Sequence, residues 1–306
     1  MSKIKRIVIG ILVVAVLAVI GYGAYLGYNV FRFTQKISSG SSVTQGVYEG
    51  NKLEDLKPAV PESNLNILVV GIDAGRFKNN TYRSDTGRTD TIMLFSINPT
   101  TKKVALLSIP RDTYVEIEGR GMDKVNHAYA FGGMNLSIKT LSAFLGIPIN
   151  HYIKVDYESF VKIVNGLGGV TVDVPEDVVS YQDGKVKVQK GVQKMDGDAA
   201  FSYVQVREGD IDRIGHQQNF VKTLAAQALT LSTIPKLPGI LNSIAADIET
   251  DMSPKEILEL AMRVRTMDIG NIHNEIVPGR ADMIKGISYW IPDQAGTLAA
   301  VKRVFN

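Results

Sequence analysis

Asn66-Ile67-Leu68-Val69-Val70-Gly71-Ile72 is a short, nearly unbroken apolar run that closes on Asp73. Continuous rather than alternating hydrophobicity over so few residues predicts a strand buried on both faces, hence a sheet covered by helices. The acid directly after it stands where α/β sheets collect ligands, at a strand's carboxyl end. Moving outward, Thr91–Ile97 and Lys103–Ile109 are further apolar runs around Asn98-Pro99-Thr100-Thr101-Lys102, a hairpin signal. Leu136–Leu145 has helical spacing and stops at Gly146 and Pro148. Tyr152–Val155 reads as a strand, and Tyr157–Val164 as a helix ended by Gly166, Gly168 and Gly169. Val170, Val172 and Val174 alternate with polar residues, as in a half-buried strand. Arg213–Leu231 predicts a long amphipathic helix, with Asp212 a candidate N-cap. Ser253-Pro254-Lys255-Glu256 is a capping box opening a helix through Met267. Asn271–Val277 is a closing strand, and Gly279-Arg280-Ala281-Asp282 reads as a turn. The alternation predicts an α/β domain with a mixed central β-sheet covered by helices.

Upstream the composition changes. Ile7 to Phe31 carries no charge, and its length matches the roughly 20 apolar residues that span a bilayer core. A cleaved signal peptide has a shorter apolar region, about 7–15 residues, that ends in small residues. Here the run continues past Gly23-Ala24 through Tyr25, Leu26 and Tyr28, whose rings suit a membrane interface. The expectation is a cytoplasmic tail (1–6), one transmembrane signal-anchor helix (7–31), a linker (32–62) rich in Ser, Gly and Pro, and an extracellular domain (63–306). Lys3, Lys5 and Arg6 favour a cytoplasmic N-terminus.

Those three cations also account for the whole net charge of +3 of the 306-residue chain, because residues 1–31 hold no Asp or Glu. The rest is neutral, so no nucleic-acid partner is expected. There is no cysteine, which excludes disulfides, Cys-ligated zinc and thiol catalysis. The 45% hydrophobic content excludes a disordered chain.

Charged residues cluster where the buried strands end. Asp73 follows the first strand, Arg83, Asp85, Arg88 and Asp90 precede the second, and Ile109-Pro110-Arg111-Asp112 follows the third. If Thr91–Ile109 is a hairpin, Asp90 and Arg111 lie at the same sheet edge. Carboxylates hold a hard cation such as Mg²⁺ through oxygen. Arginine presents a planar fork matched to phosphate. Together they describe a metal-assisted pyrophosphate site; the bland reading is a set of surface salt bridges. A second cluster runs from Gln205 to Gln218 with Arg207, Asp210, Asp212 and Arg213. Arg213 and Gln217, four apart, share a helix face near its N-terminus, where anions are favoured. The four histidines show no metal-ligand spacing, and no G-x-S-x-G elbow, P-loop or dinucleotide fingerprint occurs.

The collinear order of these segments is specific. Val70-Gly71-Ile72-Asp73, Gly87-Arg88-Thr89-Asp90-Thr91-Ile92, Ser108-Ile109-Pro110-Arg111-Asp112, Lys124-Val125-Asn126-His127-Ala128-Tyr129, Asn165-Gly166-Leu167-Gly168-Gly169-Val170 and Arg207…Asp212-Arg213…Gln217 follow a membrane anchor. Over about residues 64–230 the chain resembles the LytR-CpsA-Psr family of bacterial cell-wall proteins. The resemblance implies a membrane-anchored phosphotransferase facing the wall. Such an enzyme moves a glycopolymer, such as teichoic acid or capsular polysaccharide, from a polyprenyl-pyrophosphate carrier to peptidoglycan, with Mg²⁺. It also implies an α/β/α domain with an apolar tunnel for the lipid, for which the helices 136–145 and 213–231 are candidate walls. Asp73 and Asp90 match the Mg²⁺-binding aspartates. Arg88, Arg111, Arg207, Arg213 and Gln217 match pyrophosphate-binding positions, with Arg111 affecting activity strongly. Two positions depart from the pattern: Gln205 and His216 stand where many members have arginine. The base for the attacking hydroxyl is left open between Asp85 and a metal aspartate. Hydrolysis of the lipid pyrophosphate, or a non-catalytic scaffold that binds wall polymers, are the rival readings.

Overall fold

The computed structural model describes residues 64–73, 87–179, 186–205, 210–228, 248–253, 256, 260, 263–264, 267 and 271–305. The expected tail, membrane helix and linker lie outside them. Among the described residues no helix is long and apolar enough to cross a membrane.

Six strands form the central sheet: β1 (Leu65–Asp73), β2 (Arg88–Asn98), β3 (Lys103–Ser108), β6 (His151–Val155), β11 (Glu249–Thr250) and β12 (His273–Ile276), in the order β11-β6-β1-β2-β3-β12. β1 runs antiparallel to β2, β2 to β3 and β11 to β6, whereas β6 is parallel to β1 and β12 to β3. The sheet is therefore mixed, as the sequence predicts. The carboxyl ends of β1, β3, β6 and β12 consequently share one edge, together with the amino end of β2. The expected hairpin forms, with Asn98 capping its turn through Oδ1, which accepts from the Thr100 and Thr101 amides at 3.0 and 2.8 Å.

Alternation within β1–β3 sends side chains to two covering layers. Leu68, Val70, Ile92, Leu94 and Leu107 pack against α1 (His127–Leu145) and α5 (Gln294–Phe305), burying Ile138, Leu141, Val301 and Phe305. Ile67, Met93, Ile97 and Leu106 face the opposite way, against Val221 and Ala225 of α4 (Asp210–Ala228) and against Val264 and Met267. Leu68, Leu94, Leu106 and Leu107 are fully buried, each contributing about 1.5–3 kcal/mol of transfer free energy. This is the expected α/β/α layering. It also corrects one expectation: α1 and α4 lie on opposite sides of the sheet, so they cannot wall a single lipid tunnel together.

A satellite core lies beyond α4. There α2 (Tyr157–Gly166), α3 (Gly197–Gln205) and the ribbon of β7 (Val170–Val174) with β10 (Gly191–Met195) enclose Val164, Val172, Met195, Tyr203 and Phe220. The alternating valines thus pair in a separate ribbon and not in the central sheet. A short pairing of β8 (Val178–Val179) with β9 (Val186–Val188) adjoins it. Two hairpins complete the description: β4 (Tyr114–Ile117) with β5 (Gly121–Lys124), and β13 (Gly279–Ile284) with β14 (Ile287–Pro292). Gly279–Asp282, expected as a turn, is thus the start of a strand.

The capping box forms: the Ser253 amide donates to Glu256 Oε2 at 2.7 Å, and the Glu256 amide donates to Ser253 Oγ at 3.3 Å. The helix of 157–166 gains its N-cap from Asp156, which accepts from the Ser159 amide at 2.9 Å. α1 begins nine residues before the predicted Leu136, because its first turns precede a break at Gly132 and Gly133 (φ 62°), where apolar periodicity is interrupted.

Candidate active site at the carboxyl edge of the sheet

β2 starts earlier than its apolar run suggests, so Asp90 lies within the strand rather than just before it. Its register against β1 slips there. Gly71 partners Thr91 and Ile72 partners Thr89, which leaves Asp90 as the extra residue of a β-bulge. Bulges re-aim side chains and are common beside active sites. Gly71 permits the close approach: a Cβ at that position would stand 3.1 Å from Thr91 Cβ.

Asp90 accepts a hydrogen bond from Arg111 Nη1 in a part-buried ion pair. The hairpin geometry therefore brings together the two residues that the sequence placed at one edge. Asp73, the last residue of β1, stands opposite Arg88 on β2, two residues from Asp90. Two acid-bearing positions on adjacent strands thus share the edge with two arginines. Carboxylate oxygens are the donors that a hard divalent cation prefers, and one Arg111 nitrogen leaves Asp90 with acceptor capacity to spare. In donor chemistry and backbone placement Asp73 and Asp90 fit Mg²⁺.

The loop carrying Arg111 is tightly fixed. Thr113 donates to the Pro110 carbonyl through its amide at 3.0 Å and its hydroxyl at 2.5 Å. The Asn126 amide donates to the Arg111 carbonyl at 3.2 Å, and the Trp290 amide to the Asp112 carbonyl at 2.9 Å. Asp112 itself lies 4.0 Å from Arg111 Nε and accepts an ion pair from Lys124 Nζ at 3.0 Å. β5 and β14 therefore both brace the arginine from outside the sheet.

α4 carries the described part of the second cluster, Asp212 to Gln218, and is tied to the same edge through Gln218. Arg213 and Gln217 do share a face, as the four-residue spacing predicts. They are only 3% and 7% exposed, on the stripe that continues through Phe220 to the satellite core. Gln217 donates to the Val204 carbonyl at 3.2 Å. Asp212 is not an N-cap, since the helix begins at Asp210. The residue that seats the helix is Gln218, which sequence reasoning missed. Its amide nitrogen donates to Ser108 Oγ at 2.9 Å and to the Glu275 carbonyl at 3.0 Å, and its oxygen accepts from Asn274 at 2.5 Å. These bonds tie α4 to the ends of β3 and β12, three residues before Arg111. Gln218 was detectable in principle: it is a polar residue at helical spacing from Val221 and Ala225, which face the sheet. His216, one of the two departures from the family pattern, is buried and lies against the Tyr203 ring, with centroids 4.9 Å apart. Arg207, Asp85 and Arg83 lie outside the described residues, as does the side chain of Asp73.

The edge thus carries an Asp–Arg pair on a bulged strand end. Residues 30–305 match the sequence profile of the LytR_cpsA_psr family. The chain belongs to the LytR-CpsA-Psr family. Among its relatives, the polyisoprenyl-teichoic acid–peptidoglycan teichoic acid transferase TagU of Enterococcus faecalis is 32% identical over 298 residues, covering 96% of this chain and 93% of that protein. The solved structure of TagT bound to LIIa-WTA superposes with a TM-score of 0.67 at 28% identity, covering 79% of this chain and 90% of that one. A structure of the LytR-CpsA-Psr protein YwtF (TagT) with bound octaprenyl pyrophosphate lipid gives a TM-score of 0.64 at 27% identity, with coverages of 79% and 89%. The mixed sheet with helices on both faces is thus the fold of solved LytR-CpsA-Psr proteins.

Proposed function

We propose that this chain is a membrane-anchored phosphotransferase. It moves a glycopolymer (teichoic acid or another wall or capsular polysaccharide) with one phosphate from a polyprenyl-pyrophosphate carrier to a peptidoglycan hydroxyl. The observation that carries the reading is the Asp90–Arg111 pair on the carboxyl edge of the sheet. The near full-length likeness to named teichoic acid transferases supports it. The uncharged stretch 7–31 and the cations before it support an N-terminus in the cytoplasm and a catalytic domain outside, facing the wall.

Phosphoryl transfer is governed by positioning and by charge stabilisation rather than by covalent chemistry of the protein. Asp73 and Asp90 would hold Mg²⁺, which supplies neutralisation of the pyrophosphate oxygens when bound. Arg111 gives the phosphates a fixed cation, because its backbone is clamped on both sides. Arg88, Arg207 and Arg213 add charge, and Gln217 adds a neutral donor. Asp90 accepts from Arg111 Nη1. A bound pyrophosphate competes for that nitrogen and frees carboxylate oxygen for the cation. Anion and cation are thus expected to bind cooperatively.

The test uses the full chain in detergent micelles with a synthetic polyprenyl-pyrophosphate glycan and a peptidoglycan oligomer, with and without Mg²⁺. Mass spectrometry is expected to find a glycan–phosphate–peptidoglycan adduct only with Mg²⁺. Free glycan phosphate alone would make the chain a lipid pyrophosphatase. Lipid binding with no turnover would make it a carrier or scaffold.

A further inference from the structure

The reaction requires the attacking hydroxyl to lose a proton, and the described aspartate of the pair, Asp90, is engaged with Arg111. Beside that arginine the structure holds a different candidate. His127 Nδ1 lies 2.8 Å from Asp123 Oδ2. The other oxygen of Asp123 accepts from the Lys124 amide at 2.7 Å. Burial is the largest single influence on the Asp123 carboxyl and pushes its pKa up. The bonds from His127 and Lys124 and their nearby charges outweigh it and hold the group below its ordinary value. An ionised carboxylate only accepts, so Nδ1 carries the hydrogen, and neutral imidazole then presents its lone pair at Nε2. A carboxylate that fixes the tautomer and steadies the imidazolium is the logic of hydrolytic triads.

The dyad sits against the catalytic loop. Three contacts fasten the β5–α1 corner to the chain on either side of Arg111: the Asn126 amide to the Arg111 carbonyl (3.2 Å), the Val125 amide to the Thr113 carbonyl (2.8 Å) and the Lys124–Asp112 ion pair (3.0 Å). His127 follows Asn126 directly. Ala128 turns into the core, whereas the His127 side chain keeps 21% of its surface. One turn on, Phe131 is 41% exposed and meets the imidazole edge to face at 5.9 Å. The ring is therefore held on one side and open to an incoming molecule.

We infer that His127, oriented by Asp123, is the general base that takes the proton of the acceptor sugar hydroxyl. This rests on the transferase reading above. The hydroxyl O–H bond breaks and its proton passes to Nε2. The oxygen forms a bond to the glycan-bearing phosphorus. The bond from that phosphorus to the bridging oxygen breaks, and its electron pair leaves with the polyprenyl phosphate. The imidazolium returns its proton to solvent. The charged and titratable groups about the dyad are Lys124 beside Asp123 on β5, Arg120 across Phe131 (4.8 Å from that ring), and Tyr289 on β14, whose phenol is raised by burial and by the Asp123 charge; Arg111 and Asp112 lie on the loop fastened to this corner.

The test is the pH dependence of kcat/KM for Mg²⁺-dependent adduct formation by the full chain in micelles, for wild type, His127→Gln and Asp123→Asn. Wild type should lose activity on the acid side as one imidazole protonates. H127Q should fall about 100-fold and lose that acid limb, a typical general-base contribution. D123N should move the limb to lower pH, because imidazolium loses its counter-charge. A thermal melt of each variant separates folding from chemistry. If H127Q does not fold, D123N decides: a limb moved to lower pH supports the assignment, and an unmoved limb overturns it. An H127Q enzyme within a few-fold of wild type and with the same acid limb also overturns it, while the transferase reading stands. A wild type that forms no adduct at any pH removes the transferase reading and this inference with it.

Discussion

Replacing Gln218 by Leu should separate the seat of α4 from the chemistry it serves. Gln218 is 5% exposed and makes the three bonds to Ser108 Oγ, the Glu275 carbonyl and the Asn274 side chain. Each is worth about 1 kcal/mol net, and buried groups stranded by the change cost about as much again or more. Leucine fills most of the space, so no large cavity is added. The loss should be at least about 3 kcal/mol, which is a large share of a typical folding free energy of about 5–15 kcal/mol. A domain of this size should then melt about 6–12 °C lower. Gln217→Leu is the control, since the structure gives that side chain one bond, to the Val204 carbonyl at 3.2 Å. It should cost about 1 kcal/mol yet reduce transfer at least as much, because the proposed function counts Gln217 among the donors to the pyrophosphate. The assay is urea unfolding of the full chain in micelles, followed by fluorescence of Trp290, the only tryptophan. Trp290 reports the catalytic loop through its amide bond to Asp112. If Q218L lost less than about 1 kcal/mol, or less than Q217L, the assignment of Gln218 as the anchor would be wrong.

Two further outcomes are expected. The Asp251 carboxylate, 3.5 Å from His151 Nδ1, is the main influence raising the His151 pKa; burial opposes it, and Glu256 adds to it. Protonated His151 should therefore stabilise the fold fully below about pH 6.5, its unfolded value, and that contribution should fade as pH rises through the higher folded value. Urea midpoints across this range should fall for wild type relative to His151→Gln, and parallel curves would sink the assignment. Gly71→Ala should place a methyl 3.1 Å from Thr91 Cβ and 3.3 Å from its Oγ1. The branched Thr91 side chain has little rotamer freedom to yield, so the bulge should shift and Asp90 with it. Stability should fall by about 1–3 kcal/mol and transfer by more than that loss explains; an active, fully stable variant would mean that the bulge does not position Asp90.

Much of the sheet is legible from the chain because its cause is local. Buried strands need continuous apolar runs, and β1, β2 and β3 have them. The turn at 98–102 makes the hairpin explicit, so the Asp90–Arg111 encounter follows before any coordinate is known. The bulge at Gly71 is not local: it depends on how two strands choose their register, and no residue of either strand announces it alone. The first half of α1 is hidden because Gly132 and Gly133 break the period that would reveal it. The hairpin of β13 and β14 is mostly exposed, so no apolar alternation marks it, and Gly279 suggests a turn instead. The two-sided placement of α1 and α4 comes from sheet order, which periodicity does not encode. Arg213 and Gln217 were placed correctly on one face, yet their burial comes from the satellite core formed by β7, β10 and α3. The His127–Asp123 dyad is invisible for a related reason. The residues are four apart, but they belong to a strand end and a helix start joined by a sharp corner.

The most direct test of the account is the transfer rate of Arg111→Ala, measured with saturating Mg²⁺ and lipid-linked glycan against wild type. Arg111 is the one described cation on Asp90 whose loop is clamped from two sides. As a single preorganised donor to developing charge, it should be worth about 10²–10³-fold in kcat. The same variant should keep its fold, because the pair is only part-buried. A folded R111A enzyme that forms adduct at a rate close to wild type would contradict the placement of the reaction at this edge.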